Sequence, residues 1–346
     1  MIKLLRWLNI VLVLVTLLCY LAAYVNPATF WPLTFFGLLF PWLLGAHLLF
    51  ILLWIAQRRY QVLVSVGCLL LGWSHLTAFL GLNLPGDSAA ASFHIKSFNA
   101  YGFQVVGEPG NRIPVEELER LFPTEGIDIL CLQEFPTFYR TNPYLHYFME
   151  DAGFAHAHAL TNGSLAILSR HPVKRTYTHY FVKHFNGFIW ADIEIDGRMA
   201  RVFNLHLQSN AVSEMADAVA RQGDLKKPET WSYIKGMARR FKRAEIRRAK
   251  QAQLVLEEIR KSPHPVIVCG DFNTTPQSYA YHLLQKELKD GFRQAGTGLG
   301  ITYAGKIPAL RIDYLLYGPA FQIHDHDIER EQCSDHHAVA GALSWQ

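Results

Sequence analysis

No charged residue occurs between Arg6 and Arg58, a gap of 51 residues. That gap constrains this 346-residue chain more than any other feature. A charge at the centre of a bilayer costs roughly 2.5–3.5 kcal/mol on insertion scales, and a helix crossing the hydrocarbon needs roughly 20 apolar residues. The gap therefore holds two spanning helices, with Asn26, Pro27 and Pro32 marking the break between them. A third uncharged run, 60–80, follows Arg59. Lipid offers backbone groups no hydrogen-bond partner, so these runs must be helical. The expected transmembrane helices are 8–25, 33–56 and 60–80, forming a membrane anchor over 1–81. A cleaved signal peptide would have a shorter apolar region ending in small residues, and would leave the other two runs unexplained.

Charge supplies the orientation. Residues 1–81 carry Lys3, Arg6, Arg58 and Arg59 and no acid, whereas the rest of the chain carries 29 basic and 29 acidic residues. The net charge of +4 thus sits wholly in the apolar quarter. This excludes a plain cytosolic enzyme, a disordered chain and a uniformly basic nucleic-acid coat protein. With three spans, Lys3–Arg6 and Arg58–Arg59 fall on one side, the cytoplasmic one, and the C-terminal part is extracytoplasmic. The expected location is a membrane of the bacterial inner-membrane type. His75 is read as a helix-end residue. Cys19 and Cys68 lie in spans, and Cys131, Cys269 and Cys333 read as small buried residues rather than a disulfide framework.

Residues 82–92 are small, polar and turn-rich, and read as a linker. Strand-like runs follow at 93–101, 128–134, 165–170, 188–195, 198–207, 265–272, 311–317 and 336–343. Helical patterns fall near 115–122, 232–261 and 277–288. The alternation implies one layered α/β or α+β domain over 93–346, long enough for a sizeable core.

Several of these runs end in residues suited to metal and phosphate chemistry. FHIKSFN ends at Asn99 and DILCLQE at Glu134. RVFNLHLQS contains His206, and VIVCGDFNTTP contains Asp271 and Asn273. RIDYLLYG contains Asp313, and SDHHAV contains Asp335 and His336. A strand end fixes a side chain with little positional error. Hard cations want carboxylate and amide oxygens, and phosphoester hydrolysis wants an oriented water, neutralised charge and help for the leaving oxygen. Any one of these residues alone reads as a solvated strand end, a structural histidine or an Asx turn; the ordered combination carries the signal.

In that order, SFN, LQE, NGSLAILSRHP, NLHLQS, GDFN, RIDY and SDHH resemble the endonuclease/exonuclease/phosphatase superfamily over roughly 93–343. The resemblance implies a four-layer α/β sandwich with two packed mixed sheets, here preceded by three transmembrane helices. It implies hydrolysis of a phosphoester with Mg²⁺ or Mn²⁺. It makes Glu134 the principal metal ligand, with Asn99 positioning metal and phosphate and Asp335 a further metal contact. Asp271 then orients or deprotonates the attacking water, Asn273 holds phosphate and that carboxylate, and His206 and His336 contact phosphate and help the leaving group. Asp313 orients one of these histidines, and alternation points His337 away. Abasic-site endonucleases of the superfamily have a Tyr where this chain has Asn162, a candidate substrate contact. Asn162–Gly163–Ser164 and His206–Leu207–Gln208 look more like the sphingomyelinase-type branch.

The segment 226–250 holds ten basic residues against Glu229 and Glu245, with Arg239, Arg243 and Arg247 along one side of a helix. It is either a solvated face or an anion-binding surface, and these three arginines are candidate substrate contacts. His324, Asp325, His326 and Asp327 alternate on a strand and read as surface residues, as do His156 and His158. The resulting expectation is a membrane-tethered, Mg²⁺-dependent phosphodiesterase acting on a phospholipid headgroup. The alternatives are a surface nuclease for DNA or RNA and a catalytically inactive binding module.

Overall fold

In a computed structural model of the chain, the residues described are 2–84, 86, 91–108, 110–136, 142–160, 163–182, 185–209, 228–305, 309–331 and 333–346. The apolar quarter forms helices α1 (Ile2–Ala22), α2 (Pro27–Phe30), α3 (Leu33–Leu38), α4 (Phe40–Ala56), α5 (Val62–Leu71) and α6 (Trp73–Thr77). Only α1 among the described helices is long and apolar enough to cross a membrane by length and composition; α4 and α5 are shorter. At 1.5 Å per residue α1 is about 31 Å long and α4 about 26 Å.

The expected spans are thus corrected in three places. The run 33–56 is interrupted at Leu39, where α3 ends and α4 starts with Pro41, which has no N–H to donate, in its first turn. The run 60–80 is interrupted at Gly72, which lies so close to the Tyr20 ring that a Cβ would sit 2.0 Å from it. The first run begins at Ile2 and ends at Ala22, earlier than expected.

The bundle buries a few polar side chains among apolar ones and exposes apolar side chains outside. Asn9 donates to Ser65 Oγ at 2.8 Å and accepts from Trp54 Nε1 at 3.0 Å, and Thr16 meets His47 at 3.0 Å. Leu14, Leu49, Leu52, Leu63, Leu71 and their neighbours are exposed. The Asn9 contacts place the start of α1, the end of α4 and the start of α5 at one end, beside Lys3, Arg6, Arg58 and Arg59.

The rest of the chain contains strands β1 (Leu80–Leu82), β2 (Phe93–Asn99), β3 (Ile129–Gln133), β4 (His156–Ala159), β5 (Ala166–Ser169), β6 (Val173–Val182), β7 (Asn186–Ile195), β8 (Arg198–His206), β9 (Val266–Asp271), β10 (Lys289–Asp290), β11 (Thr297–Leu299), β12 (Asp313–Tyr317), β13 (Phe321–Glu329) and β14 (Ala338–Trp345). Its helices are α7 (Leu118–Leu121), α8 (Pro143–Glu150), α9 (Pro228–Arg260), α10 (Tyr279–Gln285) and α11 (Gly291–Ala295). Among the described residues one six-stranded sheet runs β10-β12-β9-β8-β7-β6 and the other β13-β14-β2-β3-β5-β4. The central pairs β8–β9 and β2–β3 are parallel and the others antiparallel, so both sheets are mixed.

Side-chain alternation builds the layers. Ile129 and Cys131 of β3 face Ile189, Val202, Ile267 and Leu315 across the interior between the sheets. Leu130 and Leu132 point the other way, onto Leu118, Phe122 and Phe148. Phe203 and Val268 pack on Ala252, Val255, Ile259 and Leu284 of α9 and α10. The order is helix, sheet, sheet, helix, and strands buried on both faces read as continuous apolar runs.

Two local expectations need revision. Leu82, placed in the linker, ends β1, which pairs with β11 of the main domain. His326 is buried, not on the surface, because β13 has a bulge between Ile323 and Asp325 that breaks the alternation. It packs edge-on to Phe292.

The domain rests on the end of the bundle away from its basic residues. Phe241 stacks on Phe35 at 4.5 Å, Tyr24 meets His282 at 4.4 Å, and Lys242 lies 5.4 Å over Trp31. Thr275 Oγ1 donates to the Gly37 carbonyl at 3.5 Å, Gln277 Nε2 to the His75 carbonyl at 3.3 Å, and Arg311 Nη1 to the Ala78 carbonyl at 2.9 Å.

Candidate active site

Strand ends from both sheets converge where the two layers meet. In one sheet β8, β9 and β12 lie side by side, with His206 and Asp313 both paired in register to Asp271. In the other, β2 ends at Asn99, beside Gln133 and next to Glu134. The backbone around the acids is specialised. Gly270, at φ 136°, passes so close to β8 that a Cβ would lie 2.0 Å from the Leu205 carbonyl oxygen. Glu134 and Asn273 adopt φ 47° and 53°, a left-handed conformation that costs about 1–3 kcal/mol outside glycine and clusters at functional sites.

Asp271 is the hub. Its Oδ1 accepts from the Asn273 backbone N–H at 2.7 Å. Its Oδ2 accepts from Asn273 Nδ2 and Asn99 Nδ2, each at 3.0 Å. His206 Nε2 is 3.7 Å from Oδ2 and 3.6 Å from Glu134 Oε1. His336 Nε2 lies 4.0 Å from Asp271 Oδ2, while its Nδ1 sits 3.0–3.1 Å from both oxygens of Asp313. Thr302 Oγ1 receives the backbone N–H of Asp313 at 3.0 Å and so fixes that carboxylate in turn.

The electrostatics separate the two histidines. Burial pushes His206 below the ordinary imidazole range, with Asp271 opposing it, so His206 is neutral near pH 7. Burial acts the same way on His336, but Asp313 and then Asp271 outweigh it and hold the imidazolium up to about 10. Burial, and then repulsion from Asp313, lifts Asp271 to about 6. Burial also raises Glu134, against the attraction of His336. A carboxylate that gains basicity beside a histidine that keeps its proton is the pairing expected of a base and an acid.

The donor set suits a hard divalent cation. Among the described residues, Asp271, Asp313 and His336 bring ligand atoms within 4.8 Å of one another. These side chains are already engaged with one another or with amides. Spare capacity lies with Glu134, whose side-chain partner Asn99 Nδ2 is 3.4 Å away, and with Asp335, whose buried Oδ1 has no hydrogen-bond partner among the described residues. A cation there would meet carboxylate oxygens from Glu134 and Asp335; Asn99, expected beside the metal, turns its Nδ2 toward Glu134 and Asp271 and its Oδ1 toward the Tyr101 backbone N–H.

All eight expected residues of the centre, Asn99, Glu134, His206, Asp271, Asn273, Asp313, Asp335 and His336, fall at this convergence. Asn162 lies outside the described residues. Arg239 and Arg243 do not join the cluster; they lie exposed on α9, and Arg247 reaches Gln208 Oε1 at 3.4 Å, two residues from His206. Sequence reading missed the supporting residues. Gln133 donates to Asn204 Oδ1 at 2.7 Å across the sheets, and Ser334 Oγ donates to the Asn99 carbonyl at 2.7 Å. Phe185 and Tyr303 set their rings 5.3 and 5.2 Å from His206 and His336. A polar residue inside an otherwise apolar run, as in LCLQE and FNLH, was the available signal for Gln133 and Asn204.

Comparison with known proteins agrees with this geometry. The sequence profile of the Endonuclease/Exonuclease/phosphatase family matches residues 97–336. A second profile, a domain of unknown function (DUF8431), matches residues 2–79. No curated protein is similar enough to count as a match. Among solved structures, an endonuclease/exonuclease/phosphatase from Beutenbergia cavernae is similar at 17% identity and TM-score 0.53, covering 73% of this chain and 71% of that one. A Neisseria 3' phosphatase, NExo, bound to product DNA hairpin, is similar at 20% identity and TM-score 0.52, covering 73% and 100%. The human Nocturnin catalytic domain with bound sulfate anion is similar at 16% identity and TM-score 0.50, covering 78% and 97%.

Proposed function

The chain belongs to the endonuclease/exonuclease/phosphatase family and is a metal-dependent phosphoesterase; on that premise we propose that it is a membrane-anchored phosphodiesterase acting on a phospholipid headgroup. One observation carries the lipid reading. The loop after Asp271 and Asn273 is fastened at Thr275 and Gln277 to the end of the apolar bundle, so the site and the anchor share one surface level. The reading places α1, α3–α4 and α5–α6 across the bilayer as an anchor over 1–81, linked through 82–92 to the catalytic domain 93–346. Lys3, Arg6, Arg58 and Arg59 are then cytoplasmic and the catalytic domain extracytoplasmic, in a bacterial-type inner membrane. The outward-facing leucines and inward-facing Asn9, Thr16 and His47 support the anchor.

Glu134 and Asp335 would hold Mg²⁺ or Mn²⁺, with the Asn99 amide orienting Glu134. Such a cation, when bound, neutralises phosphate charge. Asp271, its carboxyl held near pH 6, is ionised at neutral pH and orients and deprotonates the attacking water. Asn273 and Asn99 fix both Asp271 oxygens so that the carboxylate does not turn. His336, kept charged by Asp313, donates its Nε2 proton toward a phosphoryl or leaving oxygen. Neutral His206, buried against Phe185, makes a second contact to phosphate. Asn162 is a further candidate substrate contact.

The second reading is an extracytoplasmic nuclease, favoured by the basic face of α9. The test offers phospholipid vesicles and single-stranded DNA in parallel to full-length chain in detergent with Mg²⁺. Release of phosphorylated headgroup with intact DNA supports the lipid reading. DNA cleavage that falls steeply with salt, with lipid untouched, replaces it by the nuclease reading.

A further inference from the structure

The candidate centre leaves one strongly charged surface unused. Between Thr230 and Lys250 helix α9 exposes Lys235, Arg239, Arg240, Arg243, Arg247 and Lys250. The one acid in that stretch, Glu245, is buried and paired with Arg248. Among the described residues none of the six exposed cations meets a carboxylate. Lys235, Arg239, Arg243 and Arg247 recur every fourth residue and so form one ridge. Trp231 and Tyr233, at the N-terminal end of the same helix, are exposed by 51% and 47%.

Position gives this surface its meaning. Phe241 and Lys242, midway along the stretch, pack on Phe35 and Trp31 in the connection between α1 and α4. That connection is the domain-side end of the apolar bundle, where Phe30, Leu39 and Trp42 are also exposed. The stretch therefore crosses the bundle at the level where a bilayer would end. Aromatic rings favour that level, and a lysine or arginine near an anionic leaflet is attracted to it within a Debye length.

We propose that residues 231–250 of α9 form a docking surface for the anionic lipid headgroups of the bilayer that holds the anchor. This rests on the membrane-anchored reading. It gives Arg239 and Arg243 a role different from contact with the scissile phosphate. Through Arg247 and Arg248, which donate to the Gln208 side chain and carbonyl beside His206, the lipid-bound helix also fixes the rim of the catalytic centre over the leaflet.

The five native cysteines are buried, so Ser232→Cys in the full chain takes an environment-sensitive fluorophore at one exposed position. The labelled chain is reconstituted in phosphatidylcholine vesicles, with or without phosphatidylglycerol, and flotation is scored alongside emission. Emission should shift to the blue with phosphatidylglycerol and return in high salt. Lys235→Glu with Arg239→Glu and Arg243→Glu should raise the phosphatidylglycerol fraction for half response at least about threefold, with the unfolding midpoint unchanged. A chain that floats with both vesicles yet shows no phosphatidylglycerol response overturns the docking surface alone. So does a charge-reversed chain that responds like wild type, or a shift produced only by added oligonucleotide. A chain that floats with neither vesicle overturns the anchored reading and the surface together.

Discussion

Replacing Asp313 by Asn keeps the shape of the His336–Asp313 pair and removes its charge. The structure sets the size of the effect. His336 Nδ1 is within 3.1 Å of both Asp313 oxygens, and the imidazolium is held up to about 10 although burial opposes it. Measured from the ordinary 6.5, at ~1.4 kcal/mol per pH unit, that is a preference for the charged form of order 5 kcal/mol. Asp313 is its largest source and Asp271 the next. Without the Asp313 charge, burial is opposed only by Asp271 and, behind it, Asp335, and His336 holds its proton less tightly. The assay is the pH–rate profile of full-length Asp313→Asn on a soluble chromogenic phosphodiester. At about pH 8 kcat should fall at least about tenfold, and the deficit should shrink as the pH is lowered toward 6. KM should change little, because the asparagine amide still seats the ring. The same pair sets a stability window: its contribution is complete below 6.5 and is lost as pH rises through about 10, so the variant's unfolding midpoint should be flatter over that range. A variant profile running parallel to wild type at every pH would refute the assignment of His336 as the acid.

Three further outcomes follow from the packing around the site. Asp290→Ala leaves Arg311, its bidentate partner at 2.6 and 2.8 Å, buried and uncompensated, and should cost about 3–5 kcal/mol of stability in a denaturant titration. Gly81→Val places a Cβ 2.3 Å from the Gly296 carbonyl oxygen, which should part β1 from β11 and speed proteolytic cutting within 82–92. His337→Ala should keep kcat within about twofold, because among the described residues no side-chain hydrogen bond or ion pair ties His337 to the Asp271 cluster, whereas His336 bonds Asp313.

How much of this was legible before the fold was known depended on what each residue needed from distant chain. The helices near 232–261 and 277–288 and the runs ending at Asn99, Glu134, His206 and Asp271 were readable because alternation and apolar runs are local properties, and strand ends are where polar residues interrupt them. The breaks at Leu39 and Gly72 were not, since the Gly72 break depends on a tyrosine 52 positions earlier. His326 was misplaced for the same reason: a bulge that packs against α11 leaves no mark in HDHD. Gln133 and Asn204 sit inside apolar strands, and only the meeting of the sheets makes them partners. The contact between the bundle and the domain was hidden most completely. Nothing in the sequence around Gln277 indicates that its amide bonds to the backbone of a helix 202 residues away.

The central claim is that Asp271, beside a divalent cation, drives phosphoester hydrolysis. It is tested most directly by following hydrolysis of bis(p-nitrophenyl) phosphate while Mg²⁺ is titrated into the full-length chain, with Asp271→Asn in parallel. The predicted result is saturable Mg²⁺ activation, abolished by chelator, and a loss of roughly 10²–10⁴ in kcat for the variant. Chelator-resistant turnover, or a variant as fast as wild type, would contradict it.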